Sequence, residues 1–171
     1  KDENNEDQLY QNPDALGNAW SVDSLITVDT ADELLIKLKD TDISKVALSI
    51  NNSAPASISK VYNSGDLVKI EKTKISSSHI TYEFESLSDQ LIVFSEIYYP
   101  SGWEVYVDDT KSEYFDANYI FRGMVVPSGA HKIDFYFSPN IVKTGINIRI
   151  LTIIITFSLI VYMVYKNNKW V

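Results

Sequence analysis

The chain has 171 residues, 45% hydrophobic and 12% aromatic, enough to bury a core, so disorder of the whole chain is excluded. It has no cysteine, which rules out a disulfide framework and thiolate metal ligation. Before Ile146 there are 12 basic and 23 acidic residues, a formal −11, and a body that acidic repels phosphate backbones, which argues against nucleic acid as a partner.

Lys1–Asp7 is polar and charged, without the apolar core of a targeting signal, and reads as a cut end or a loop. Asn12–Asn18 is dense in turn formers and closes an N-terminal extension, residues 1–18. Ala19–Val28 alternates in part and is expected as a strand. Thr30-Ala31-Asp32-Glu33 matches a capping box, in which hydroxyl and carboxylate satisfy each other's free backbone donors. Leu34, Leu35 and Leu38 follow at helical spacing, which predicts a short amphipathic helix over 31–39. Lys45–Ile50 is a further strand, and Asn51–Ser64, rich in Ser, Asn and Pro, an exposed loop.

From Leu67 the pattern becomes a run of strands. Ile80, Tyr82 and Phe84 alternate with Thr81, Glu83 and Glu85, the pattern of a half-buried strand. In Leu91–Tyr98 both parities are apolar, which predicts a central strand covered on both faces. Pro100 cannot donate to a ladder and Gly102 opens unusual backbone angles, so the sheet turns there before Trp103, Val105 and Val107 resume the alternation. Asn118–Val126, a turn at Pro127-Ser128-Gly129, and Ile133–Phe137 complete the set. Short strands separated by turn signals predict a mainly β domain over residues 19–144: an antiparallel, jelly-roll-like β-sandwich with one short α-helix.

Ile146–Tyr165 is different in kind: twenty residues with one charge, Arg149, placed where its side chain can snorkel to the headgroups. About 20 residues at 1.5 Å rise just cross a hydrocarbon core of roughly 30 Å. A C-terminal transmembrane helix is therefore expected over 145–166, with Tyr162, Tyr165 and Trp170 as an aromatic set and 167–171 as a tail. Basic residues flank both ends equally (Lys143 and Arg149, Lys166 and Lys169), so orientation rests on the acidity of the body, which places it outside and the tail in the cytoplasm. That topology calls for a translocation signal ahead of residue 1, and the chain reads as the C-terminal piece of a larger membrane protein.

Few residues suggest chemistry. Asp40-Thr41-Asp42 spells the Asp-X-Asp of nucleotide-sugar enzymes, but it directly follows a helix and lacks a nucleotide-binding α/β sheet, so it reads as a solvated turn. Asp108-Asp109 with Asp116 supplies oxygens that suit Ca²⁺, without EF-hand spacing. His79 and His131 are the only histidines, and Ser95 lies in no nucleophile elbow, so no hydrolase triad is assigned. The set that stands out is Tyr98, Tyr99, Trp103, Asn118, Tyr119 and Arg122. Aromatic faces beside amide and guanidinium donors suit a glycan or partner surface. The competing reading has the rings, Trp103 foremost, plugging the sandwich while Arg122 pairs with Glu96 or Glu104 across strands. No catalytic residue, cofactor or metal ligand is assigned.

Four stretches taken together, Tyr10–Trp20, Phe94–Trp103, Ala117–Met124 and Val126–His131, resemble the C-terminal portion of the bacterial YfhO family of membrane proteins. The family often has Asp-Gly in the turn after the Trp strand, where this chain has Asp108-Asp109-Thr110. The resemblance implies an upstream block of transmembrane helices as a partner within the same polypeptide, then an extracytoplasmic β-rich domain and a last helix in the bacterial inner (cytoplasmic) membrane. It also implies kinship with transferases that take sugars from polyprenyl-phosphate donors, with the catalytic acid in an early outer loop. The function expected is a non-catalytic accessory domain of such a glycosyltransferase acting on cell-envelope polymers or lipids. The alternative is a membrane-anchored module that binds an envelope glycan or protein.

Overall fold

The computed structural model describes residues 12–51, 54, 58 and 61–168. Lys1–Asp7 and Trp170, and part of the expected loop Asn51–Ser64, lie outside them. In chain order the elements are β1 (Ala19–Val22), β2 (Ser24–Val28), α1 (Ala31–Leu38), β3 (Val46–Ile50), β4 (Leu67–Ile75), β5 (His79–Ser86), β6 (Gln90–Ile97), β7 (Trp103–Val107), β8 (Thr110–Ser112), β9 (Phe115–Ala117), β10 (Phe121–Val126), β11 (Gly129–Phe137) and α2 (Asn140–Asn168).

Two antiparallel sheets, ordered β1-β6-β10-β9 and β4-β5-β11-β7-β8, face each other. Between them Ile80, Tyr82 and Phe84 of β5 meet Ile92 and Phe94 of β6, Val105 and Val107 of β7, Met124 and Val126 of β10, and Ile133 and Phe135 of β11. Phe94 anchors this layer edge-on to both Tyr82 (4.9 Å) and Phe135 (5.2 Å), a favoured ring geometry. The expected sandwich and the both-faces-buried strand are thus observed. The other parity of β6, Leu91 and Val93, packs with Val22, Ala47, Tyr62, Phe115 and Ala117 in a second core on the back of the same sheet.

That second core exists because Ala19–Val28 is not one strand. It breaks at Asp23, and β2 leaves the first sheet to pair in parallel with β3, joined through α1. A parallel pair needs a crossover connection, and α1 supplies it. Leu34 of α1 seals a third small core with Val28 and Leu48, whereas Leu35, expected on the apolar face, is exposed. Thr30 Oγ1 accepts from Glu33 N at 3.2 Å, but the Glu33 carboxylate reaches one residue past the reciprocal box and accepts from Asp29 N at 3.2 Å.

The structure differs from expectation, or adds to it, at three places. Asn118 and Tyr119 form a turn with φ of +49° and +77° rather than the start of a strand, so β10 begins at Phe121. The short strands β8 and β9 are additional. The two-residue turn between β7 and β8 uses Asp108 and Asp109 at φ of +48° and +65°, where glycine is the usual solution. Asp108 makes this tolerable by accepting from Lys132 N at 2.8 Å and pairing with His131 Nδ1 at 2.5 Å, which ties the turn to β11.

α2 runs for 29 residues, and Thr144–Asn167 within it is long and apolar enough to cross a membrane, with none of that span covered by the body. The hydroxyls of Thr152, Thr156 and Ser158 donate to Ile148 O, Thr152 O and Ile154 O at 2.8–2.9 Å, so these three donors are satisfied within the helix.

Because β6 is covered on both faces, Leu91→Ala and Ile92→Ala, adjacent residues pointing oppositely, should each lower the unfolding free energy by about 2–5 kcal/mol in a denaturant titration. A simple two-layer sandwich would show that loss at one of the two positions.

Candidate functional site

The structure gathers the six residues singled out by sequence at one end of the sandwich, but they differ in burial and do not form one exposed surface. Arg122, 2% exposed, lies inside the sandwich on the inward parity of β10. Its guanidinium sits 4.5 Å from the Trp103 ring, 4.8 Å from Phe135 and 6.0 Å from Tyr114, and its Nε donates to Ile97 O at 2.9 Å. Stacking on aromatic faces suits guanidinium better than ammonium, which explains an arginine here. The carboxylates expected to pair with it are engaged elsewhere: Glu96 holds Lys72 at 2.7 Å and accepts from Tyr82 OH at 3.2 Å, and Glu104 holds Lys111 at 2.5 Å. Burial draws the Arg122 pKa below its usual value, with Tyr114, Glu96 and Tyr82 opposing. Burial also pushes the Tyr114 phenol up to about 12, so that ring stays neutral beside the cation.

Trp103 is half-buried, lid-like over Arg122 and 5.2 Å from Phe137, which is the plug arrangement. Asn118, 4% exposed, works on the opposite side of its sheet as a clip to β3: its N–H donates to Leu48 O at 2.7 Å and its Oδ1 accepts from Leu48 N at 2.9 Å. Tyr98 is half-buried against Tyr114 at 5.4 Å, while Tyr99 and Tyr119 are 50% and 46% exposed.

Other sequence motifs also resolve into local partners. His79 Nε2 lies 2.7 Å from Asp134 Oδ1, which also accepts from Thr81 at 2.7 Å, and the imidazole stacks on Tyr136. Asp116 accepts from Ser49 at 3.0 Å on β9, in a different sheet from Asp108. Among the described residues no three His, Asp or Glu side chains converge on a metal-sized site.

The structure adds a site that sequence reasoning passed over. An open groove of about 630 Å³ lies at the β1 edge, lined by Asp14, Leu16, Gly17, Trp20, Asp42, Ile43, Ser44, Ser95 and Phe121, and its size falls in the range of ligand pockets. Trp20 Nε1 donates to Ile43 O at 2.9 Å, which fixes the indole, and Phe121 meets it edge-on at 5.9 Å. Gly17, at φ of +82°, turns the chain at the rim in a conformation other residues resist. Asp42 accepts from Ser44 N at 3.1 Å and Ser44 Oγ at 2.5 Å, and these bonds hold its carboxyl below the usual range, so it is ionised at neutral pH. The solvated turn read from Asp40-Thr41-Asp42 is therefore one wall of the groove. Its signal was invisible locally because the walls come from four separate segments.

A two-sheet β body continuous with a helix able to span a bilayer defines a membrane-anchored β-sandwich protein. The family model described as bacterial membrane protein YfhO matches residues 7–149, and the chain belongs to that family. No curated protein and no solved structure matches it.

Two predictions follow from these side chains. If Arg122 is a core residue, Arg122→Ala should cost at least about 2 kcal/mol of stability, through the cavity and the stranded Ile97 carbonyl, and Arg122→Met, of similar reach without the charge, should cost less. An exposed ligand-binding arginine would leave both within about 0.5 kcal/mol in a denaturant titration. The second concerns His131, whose pKa Asp108 raises above the ordinary 6.5, while His131 lowers that of Asp108 below 3.8. The histidine contribution is complete below about pH 6.5 and lost as pH rises through the raised value; the aspartate contribution is complete above about pH 4 and lost as pH falls through the lowered one. The Tm advantage of wild type over His131→Gln should therefore peak near pH 5 and shrink towards both extremes; a flat difference would refute the coupling.

Proposed function

We propose that the chain is the extracytoplasmic accessory domain, with its membrane anchor, of a polyprenyl-sugar-dependent glycosyltransferase, and that the domain holds the acceptor envelope glycan while an upstream membrane block of the same polypeptide performs the transfer. The observation that carries this reading is the composition of the groove. The Trp20 indole and Phe121 ring offer faces for the C–H surfaces of a sugar, and Asp14, Asp42, Ser44 and Ser95 surround them with hydroxyl-binding oxygens. The sign of the charge separates acceptor from donor. Two carboxylates in a body of formal charge −11 disfavour a sugar phosphate, so the groove suits a neutral polyhydroxyl chain. Membership of the membrane protein family and the C-terminal helix support placement at a membrane.

The test is binding of neutral envelope oligosaccharides to the full chain in nanodiscs by calorimetry. Trp20→Ala should weaken binding about tenfold, roughly 1.4 kcal/mol, and the milder Asp14→Asn severalfold without altering Tm. In the parent enzyme Trp20→Ala should raise KM for the acceptor and leave KM for the polyprenyl donor unchanged. Unaltered acceptor KM, or a change confined to the donor, would defeat the proposal.

A further inference from the structure

At one end of the sandwich four separate segments are stitched together by the backbone. Tyr98 N donates to Ile120 O at 2.7 Å, Phe137 N to Ser78 O at 2.9 Å, and Ser138 N to Gly102 O at 2.7 Å. These segments are the β4–β5 hairpin tip, the loop between β6 and β7, the turn between β9 and β10, and the exit of β11 into α2. Residues 75–78, 97–103, 118–121 and 136–142 contain no Asp, Glu, Lys or Arg, in a chain where those four types make up 22%.

What these four segments expose is apolar: Ile75, Ile97, Tyr99, Tyr119, Ile120 and Phe137, with Ile97 70% exposed; a charged residue, Glu113, sits beside them, next to Tyr114, whose hydroxyl donates to Tyr99 O and Trp103 O. The opposite end carries Asp66, Asp89, Asp108 and Asp109, with Leu87, Val68 and Val61 exposed among these charges. Contiguous exposed apolar surface of this kind marks an interaction site, and tyrosine is enriched at the membrane–water boundary because its ring is apolar and its tip wet.

The attachment of α2 identifies what covers it. Because Ser138 is bonded back to Gly102, only Pro139 lies free between the body and Asn140, the first residue of α2. Two extended peptide steps span at most about 7 Å. The four helical steps from Asn140 to Thr144, where the apolar span begins, add about 6 Å. A headgroup layer is itself roughly 5–7 Å thick on each side, so little room is left for water between this end and the bilayer.

We infer that this aromatic end of the sandwich is seated in the lipid headgroup layer through its four uncharged segments, so that the domain is held on the membrane by its loops as well as by α2. This inference stands apart from the glycan groove and does not use it.

Because the chain has no cysteine, single-cysteine variants of the full chain can carry a nitroxide without background. The positions are Ile97→Cys and Tyr119→Cys at the apolar end and Leu87→Cys at the other, with the chain in nanodiscs of phosphatidylcholine and phosphatidylglycerol. Labels at 97 and 119 should collide with oxygen several times more readily, relative to a water-soluble nickel chelate, than the label at 87. Equal chelate access at all three positions would overturn the inference. Labels at 97 and 119 shielded from both reagents would also overturn it, since a protein would then cover the face.

Discussion

The hydrogen bond from Ser138 N to Gly102 O fixes where the membrane helix leaves the body. It can form because Gly102 has no side chain: a Cβ there would lie 2.4 Å from the Phe137 ring and 2.6 Å from Tyr99. The close approach lets Phe137 lie beside Trp103, and Trp103 in turn lids the Arg122 guanidinium. One backbone contact thus links the membrane exit, the aromatic end and the charged centre of the sandwich. Only Pro139 lies between that bond and the first residue of α2.

Arg122 shows how an interior can take a charge without an ion pair. Three aromatic faces and one carbonyl replace the carboxylate that a buried guanidinium would ordinarily need. Burial lowers the Arg122 pKa, and Glu96, while bonded to Lys72 and Tyr82, remains near enough to oppose part of that lowering. This explains why residues with the chemistry of a binding site can be structural. The open groove instead brings the Trp20 and Phe121 rings together beside ionised Asp42.

Local patterning carried much of the architecture. The two apolar parities of Leu91–Phe94, the alternation of Ile80–Phe84, the Thr30–Glu33 cap and the apolar run from Ile146 all correspond to observed elements. What local patterning cannot encode is the identity of a partner. Ala19–Val28 has one weak alternation, yet Val22 belongs to the first sheet and Ser24 to a parallel pair, because the choice is set by Lys45, whose carbonyl accepts from Asp23 N at 2.7 Å. Asn118, read from the sequence as a donor for ligands, clips Leu48, a residue 70 positions away, through its Oδ1 and main-chain N–H. The groove was illegible for the same reason, since Asp14, Trp20, Asp42 and Phe121 become neighbours only in the folded chain.

The two proposals together place the domain against a bilayer, with the groove held at fixed height above it. Neutron reflectometry of the full chain in a supported bilayer measures that arrangement directly. Membrane seating predicts protein density that begins within the headgroup layer and continues outward without a break. A solvent layer about 10 Å or more thick between headgroups and protein would contradict it.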